Sequence, residues 1–280
     1  MQSSGPMRAW IFVVSLVGGS TIAATPARAG ELDNVRRETQ GSGSSGSSGS
    51  SESGGSSGVG SAIGGAIGAA IGAAMIDAYS ENVWRLYTRY PYEPGTNGYV
   101  HVIPEETPED QRPGQKFAGS FALDGAYLGP TLGRTGLDLH LMVRRFGFAL
   151  DASPHIEAAP RDALTLGSIA FMIAPVLRPR VQLYAGAGAN VMIDGRASPA
   201  AERTNAAGFN ATFQTTLLPI RPLIVRGRID AGTLGAATTV LGRVTLGAAL
   251  RRFELFVGYE ARAVGEVVLH GPTAGLRVWF

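Results

Sequence analysis

The chain has 280 residues, with 24 lysines and arginines against 22 aspartates and glutamates, and no cysteine. The absence of cysteine excludes disulfides, thiol catalysis and cysteine-ligated metal sites. Without Arg8 and Arg28, which belong to a predicted signal peptide, 22 basic residues balance the 22 acidic ones, so the charge predicts no nucleic-acid partner.

Residues 1–29 have the features of a secretory signal peptide. Arg8 is the first charge and precedes an apolar run at residues 9–17, and Ala27 and Ala29 form a small-x-small cleavage pattern before Gly30. The run is shorter than the ~20 apolar residues of a membrane-spanning helix. No cysteine follows it, which excludes a lipid-anchored lipoprotein. We therefore predict export and cleavage between Ala29 and Gly30.

Residues 30–58 are predicted to be a disordered linker, because residues 41–58 are almost entirely serine and glycine. Residues 59–90 form a helix candidate that resembles a glycine zipper. Small residues four apart on a helix let a second helix approach closely. Such a helix would end near Tyr90, before Pro91. The glycines of this pattern, which could support self-association, are Gly60, Gly64, Gly68 and Gly72.

Three interpretations of the glycine-rich segment stay open: a self-associating or membrane-inserted helix, a helix packed in or against the following domain, and a mostly disordered extension. Residues 91–115 are predicted to be a polar linker. Just before them, residues 87–92 combine aromatic rings with Arg89. This stretch is either a docking element at a membrane interface or barrel mouth, or a linker that packs its rings locally.

Residues 116–280 alternate between apolar and polar side chains with the period of two that is typical of strands. Ten strands account for the pattern, and eight is the alternative because residues 146–151 are a weak strand. The predicted fold class is therefore all-β, an antiparallel up-and-down barrel. A soluble periplasmic β-sandwich would show the same alternation, with its apolar faces turned inward.

The last eight residues, from Thr273 to Phe280, decide between these folds. Gly275, Val278 and the terminal Phe280 occupy the glycine, apolar and aromatic positions of a pattern that resembles the C-terminal β-signal of Gram-negative outer-membrane barrels. The resemblance extends, as pattern, over residues 116–280 to small barrels of the OmpA type. It implies an outer-membrane location, contact with outer-membrane lipid, and insertion by the barrel-assembly machinery acting on these three residues.

Charges lie on the polar face of the predicted strands. In a membrane barrel this face lines the lumen, and acids opposite arginines would plug it. Short connections at residues 144–145, 178–180, 219–222 and 251–252 predict periplasmic turns, whereas residues 152–163 and 194–205 predict extracellular loops. The predicted lumen network consists of Asp124, Asp138, Arg226, Arg228, Asp230, Arg243, Glu254, Glu260, Arg262 and Arg277.

No catalytic, cofactor or metal motif is present, and the four histidines are scattered. The candidate for chemistry is Ser153, His155 and Glu157 in a predicted extracellular loop, with His270 near the same end. Small outer-membrane barrels that hydrolyse or transfer lipid A acyl chains use serine, histidine and an acid at such a rim. Residues spaced by two in one loop seldom form a triad, so we expect no enzyme.

The sequence thus predicts an outer-membrane barrel with a structural, adhesive or interaction role and a lumen plugged by charge pairs. Three alternatives remain: a small diffusion pore, a lipid-modifying hydrolase or acyltransferase, and the soluble periplasmic β-sandwich.

Overall fold

The computed structural model describes residues 30–41, 83–158, 162–195 and 204–280. Within these residues the chain forms one α-helix, a two-stranded hairpin and ten longer strands. In chain order the elements are α1 (Glu31–Gln40), β1 (Val83–Tyr87), β2 (Val100–Pro104), β3 (Phe117–Tyr127), β4 (Leu132–Val143), β5 (Phe146–Glu157), β6 (Asp162–Leu177), β7 (Val181–Asp194), β8 (Ala206–Leu217), β9 (Leu223–Leu234), β10 (Ala237–Leu250), β11 (Phe253–Val264) and β12 (Val267–Trp279).

Strands β3 to β12 form a closed antiparallel barrel in which each strand pairs with its neighbours in sequence. The barrel closes where β12 pairs with β3, with Leu276 opposite Leu123. This confirms the predicted ten-stranded barrel and makes the sandwich alternative wrong. Residues 146–151, which looked weak in sequence, belong to the full strand β5.

The outside of the barrel is an apolar surface. Alternation along each strand turns large hydrophobic side chains outward, and Phe171 and Leu250 are 75% and 77% exposed. At the outward positions of the ten barrel strands, as far as the structure describes them, there is no Asp, Glu, Lys or Arg. A belt of this size facing water would be a strong aggregation hazard, whereas facing lipid it is the ordinary surface of a membrane barrel.

The two ends of the barrel differ. We call one the helix end, because α1 packs there, and it carries the connections at residues 128–131, 158–161, 195–205, 235–236 and 265–266. The other, the hairpin end, carries β1 and β2, the remaining turns, and the residues where the barrel segment begins at Phe117 and finishes at Phe280. The predicted loop at residues 152–163 is wrong, since β5 continues to Glu157 and β6 begins at Asp162.

Helix α1 contradicts the prediction that residues 30–58 are disordered throughout. Its Leu32 and Val35 lie on one face and are fully buried against the barrel. Gly30 and Gly41 flank it with left-handed backbone conformations, which glycine adopts at little cost. A helix of ten residues is marginal alone, so its formation depends on this packing.

The hairpin β1–β2 corrects two further predictions. Residues 83–87, placed in a helix running to Tyr90, form a strand, and residues 91–115, predicted to be a linker, contain its partner strand. Aromatic and β-branched side chains such as Val83, Trp84 and Val100 suit a pleated surface better than a helix. The signal peptide and Gly60, Gly64, Gly68 and Gly72 lie outside the described residues. Among the described helices, none has the length and apolarity to cross a membrane.

Candidate functional site

The candidate site is the barrel lumen, because the charged residues of the ten barrel strands occupy inward positions. The period of two that turns apolar residues out turns polar ones in. The structure places all ten residues of the predicted network inside, nearly or fully buried: Asp124, Asp138, Arg226, Arg228, Asp230, Arg243, Glu254, Glu260, Arg262 and Arg277.

Asp151 lies at the centre of this network. Its carboxylate is 3.6 Å from the Arg228 guanidinium, 3.7 Å from that of Arg243 and 3.4 Å from that of Arg262. The Ser153 hydroxyl also donates a hydrogen bond to it, at 3.1 Å. One carboxylate therefore holds together arginines from three different strands.

Arg134 joins the network from the start of β4 and is absent from the network predicted from the sequence. Its guanidinium is 2.5 Å from Asp124 and 3.3 Å from Glu260, and it donates to the Ser153 hydroxyl at 3.0 Å. Glu260 also forms a close ion pair with Arg243. Residues an even number of positions apart on a strand face the same side. Because Asp138 and His140 face the lumen, a β4 predicted to begin earlier would have assigned Arg134 to the lumen as well.

Two further sets of pairs extend the network, and the set around Glu254 lies toward the hairpin end. Arg228 pairs with Asp230 at 2.6 Å and with Asp138 at 3.3 Å. Glu254 accepts from Arg277 at 3.0 Å and from the indole N–H of Trp279 at 2.9 Å. Such pairs satisfy charges that would be costly to bury singly.

Arg226 is the exception in the network. Among the described residues no carboxylate lies within 4.0 Å of its guanidinium, which packs 5.6 Å from the ring of Trp279. It borders a cavity of about 20 Å³ with Gln214 and Thr245. That volume suits a single water molecule, and the site does not form a channel.

An apolar aromatic layer closes the hairpin end. Tyr99 packs edge-on against Trp279, with 4.9 Å between ring centroids. The Tyr87 hydroxyl donates to the Arg144 carbonyl at 2.8 Å, and the Tyr92 hydroxyl donates to the Leu223 carbonyl at 2.5 Å. Burial raises the pKa of Tyr92 to about 12, despite nearby Arg180. The barrel-mouth interpretation of residues 87–92 is therefore the one the structure supports.

Helix α1 closes the opposite end with a second apolar layer. Leu32 and Val35 pack with inward leucines of the barrel and with Met192. The Arg36 guanidinium, 2% exposed, forms ion pairs with Asp162 and with Asp194, the latter at 2.8 Å. Burial opposes the charge of Arg36, but these two carboxylates outweigh it and raise its pKa.

The candidate triad is not assembled. Ser153, His155 and Glu157 are buried in the lumen on β5 rather than in a loop, which corrects their predicted place. The Ser153 hydroxyl contacts Asp151 and Arg134, while His155 Nδ1 contacts the Ser153 carbonyl at 2.7 Å. His270 faces outward, where it contacts the Tyr259 hydroxyl at 2.6 Å. No acyl-transfer geometry results among these residues.

The C-terminal residues close the barrel. The Phe280 amide and carbonyl exchange hydrogen bonds with Gly119 at 2.9 and 2.7 Å, and Val278 pairs with Phe121. A Cβ at Gly275 would lie 2.4 Å from the Leu123 carbonyl oxygen and 2.6 Å from the Phe256 ring, so this position requires glycine. Among the described residues, no group of three or more His, Asp or Glu side chains is arranged to hold a metal ion.

An apolar outside, an ionic inside and complete strand closure define the class of protein: the fold is that of a transmembrane β-barrel, and it fits an outer-membrane protein. No family model and no curated protein matches the chain. Among solved structures, the chain is similar to a KdgM porin with 8% identity and a TM-score of 0.24, over 58% of this chain and 99% of that one.

Proposed function

We propose that the protein is an integral outer-membrane barrel with a structural or interaction role and a lumen that is sealed rather than conducting. Its outer surface contacts outer-membrane lipid, and the barrel-assembly machinery inserts it by acting on Gly275, Val278 and Phe280. The apolar belt and the C-terminal pattern support this location, because lipid solvates the belt and the pattern lies on the closing strand.

The observation that carries the proposal is the layering of the lumen. An aromatic layer around Tyr99 and Trp279 fills the hairpin end, an ion-paired layer around Asp151 fills the middle, and an aliphatic layer around Leu32 and Val35 fills the helix end. Barrels of about eight strands are just wide enough for side chains to fill, and ten strands add little. Two separate segments, α1 and the hairpin, are used to cover the mouths, which a diffusion pore would leave open.

The proposal is tested on protein purified from outer membranes. A band that changes mobility between unboiled and boiled samples on a semi-native gel is expected, because a folded barrel resists detergent. In planar bilayers the same protein is expected to give no regular conductance steps. Regular steps from the wild-type chain would establish the pore alternative, and a protein recovered from the soluble periplasm without a mobility shift would overturn the membrane location.

A matched pair of variants tests the part that α1 has in closing the barrel. Arg36→Gln removes the buried cation of α1, and Arg37→Gln, the control, removes its exposed neighbour. If α1 seals the barrel mouth, only the Arg36 variant should raise the frequency of transient conductance openings in planar bilayers. Equal behaviour of the two variants would show that the ion pairs of Arg36 are not needed to keep the barrel closed.

A further inference from the structure

Glu157 is a buried carboxylate at the helix end. It is the last residue of β5 and is 1% exposed. One oxygen, Oε1, accepts a hydrogen bond from the backbone nitrogen of Gly30 at 2.5 Å. The other, Oε2, is buried without a hydrogen-bond partner among the described residues. A buried carboxylate with a single neutral donor is poorly compensated.

Gly30 is the residue that the predicted cleavage would make the N-terminus. While Ala29 is attached, the Gly30 nitrogen is an amide with one N–H. After cleavage the same atom becomes an α-ammonium group with three N–H donors and a positive charge. It could then serve both oxygens of Glu157, and charge-assisted hydrogen bonds are shorter and stronger than neutral ones. The positive end of the α1 dipole lies at the same place and favours the carboxylate further.

We propose that signal-peptide cleavage creates the ligand for this site: the α-ammonium group of Gly30 pairs with Glu157 and fixes α1 in the barrel mouth. The inference rests on the export and cleavage that the proposed function requires. It does not depend on which end of the barrel faces the cell exterior. Processing of the chain and closure of the helix end become coupled, because the Gly30 nitrogen carries no charge until the peptide bond to Ala29 is cleaved.

The geometry of the neighbouring contacts supports such a latch. Gly30 directly precedes α1, and its nitrogen lies 2.5 Å from Glu157 Oε1. Leu32, two residues on, is fully buried, so the start of the helix is held close to the barrel. Arg36 then anchors the next turn to Asp162 and Asp194. The ammonium would be the second cation that attaches α1 to carboxylates at the barrel rim.

The test uses the mature chain refolded in detergent. Two features of the sequence allow one thiol and one amine to be modified specifically. There is no cysteine, so Val35→Cys provides a single thiol that is buried while α1 is docked. Lys116 is the only lysine, so in a Lys116→Arg background the α-amino group is the only amine that acetylation modifies, and the introduced thiol is protected as a reversible mixed disulfide during that step. The readout is the rate of thiol labelling, with semi-native gel mobility confirming in each sample that the barrel is folded.

Acetylation is expected to accelerate labelling by about tenfold or more, since a buried ion pair that loses one partner is strongly weakened. Glu157→Gln should have a similar effect. The two changes together should do no more than either alone, because both remove the same interaction. Glu266→Gln, at an exposed position of the same end, serves as the matched control and should leave the rate unchanged.

An unchanged rate after acetylation would overturn the proposal, and so would effects of acetylation and Glu157→Gln that multiply. The acetylation arm alters no barrel residue, so it decides the question even if the Glu157 variant fails to fold. A mature outer-membrane chain that begins at a residue other than Gly30, measured by mass spectrometry, would also exclude the latch. Bilayer conductance would contradict the sealed lumen while leaving this result intact, so the two failures are distinguishable.

Discussion

The importance of single residues in this barrel is set by how charge is distributed in the lumen. Asp151 faces Arg228, Arg243 and Arg262 and is 3% exposed. Removing its charge would leave the surrounding guanidinium groups to repel one another inside a sheltered space. A central acid should therefore matter more than any carboxylate on the turns.

We predict that Asp151→Asn lowers the free energy of unfolding by about 3–5 kcal/mol, the usual cost of breaking a buried pair. Urea unfolding in detergent, followed by gel mobility, measures it. The control is Asp110→Asn in the exposed 3-10 turn before the barrel, which should change stability by less than about 0.5 kcal/mol. Equal effects of the two variants would show that the lumen network does not hold the barrel together.

Leu246 offers a residue-scale test of the surroundings of the barrel. It faces outward on β10 and is 50% exposed. If lipid covers this face, Leu246→Arg should cost about 2–4 kcal/mol near the midplane, while Leu246→Met should be nearly neutral. In water an exposed arginine would be tolerated, so a cost below about 0.5 kcal/mol would contradict the membrane location. Unfolding in lipid vesicles is the measurement.

Among the elements, the strands could be predicted and the two plugging segments could not. Ten alternating runs specify ten strands because each run has a face for the outside and a face for the lumen. Helix α1 has only Leu32 and Val35 as a fully buried apolar pair, too little to predict a helix next to a serine–glycine tract. Its partner surface is distributed over strands far along the chain, which no local pattern reveals.

Alternation along the strands also explains why only part of the lumen site could be predicted from the sequence. Parity placed ten charged residues in the lumen, but it missed Arg134 because Gly133 and Gly136 weaken the start of β4 as a strand. It also treated Glu157 as a loop residue, since the polar stretch around it resembles a connection. Near the ends of strands, alternation no longer indicates which residues face the lumen. The contacts between the barrel and α1 lie at these strand ends.

Helix α1 docks on the barrel in close contact with the β9–β10 turn. Gly235 in this turn lies against α1, and a Cβ at this position would be 2.3 Å from the Thr39 carbonyl oxygen. Its φ of +60° also disfavours other residues. We predict that Gly235→Ala loosens α1 and increases thiol labelling at Val35→Cys several-fold, while gel mobility still reports a folded barrel. Unchanged labelling would mean that α1 tolerates a displaced turn.

At the scale of the whole molecule, the C-terminal residue beside the closing strand β12 is expected to determine whether the barrel is inserted into the outer membrane. Phe280 directly follows β12, and its ring lies 6.1 Å from that of Phe117. We predict that Phe280→Asp abolishes recovery of heat-modifiable protein from outer membranes, whereas Phe280→Tyr retains it, because the position needs an aromatic ring. Normal assembly of the aspartate variant would show that insertion does not depend on this residue.

The orientation of the barrel follows from its two ends. Both ends of the barrel segment, Phe117 and Phe280, lie at the hairpin end. The widest interval between consecutive barrel strands, from Asp194 of β7 to Ala206 of β8, begins and ends at the helix end. Longer loops are typical of the extracellular side and short turns of the periplasmic side. We therefore predict that α1 faces the cell exterior and the hairpin faces the periplasm.

Two single-cysteine variants distinguish the orientations, since the chain has no cysteine of its own. Gln40→Cys at the end of α1 and Glu106→Cys beyond β2 are both exposed and lie at opposite ends. On intact cells a membrane-impermeant maleimide should label the Gln40 variant, and the Glu106 variant should react only after the outer membrane is permeabilised. The reverse pattern would invert the barrel and place the Glu157 latch on the periplasmic side, where the processed N-terminus would reach it without crossing the membrane.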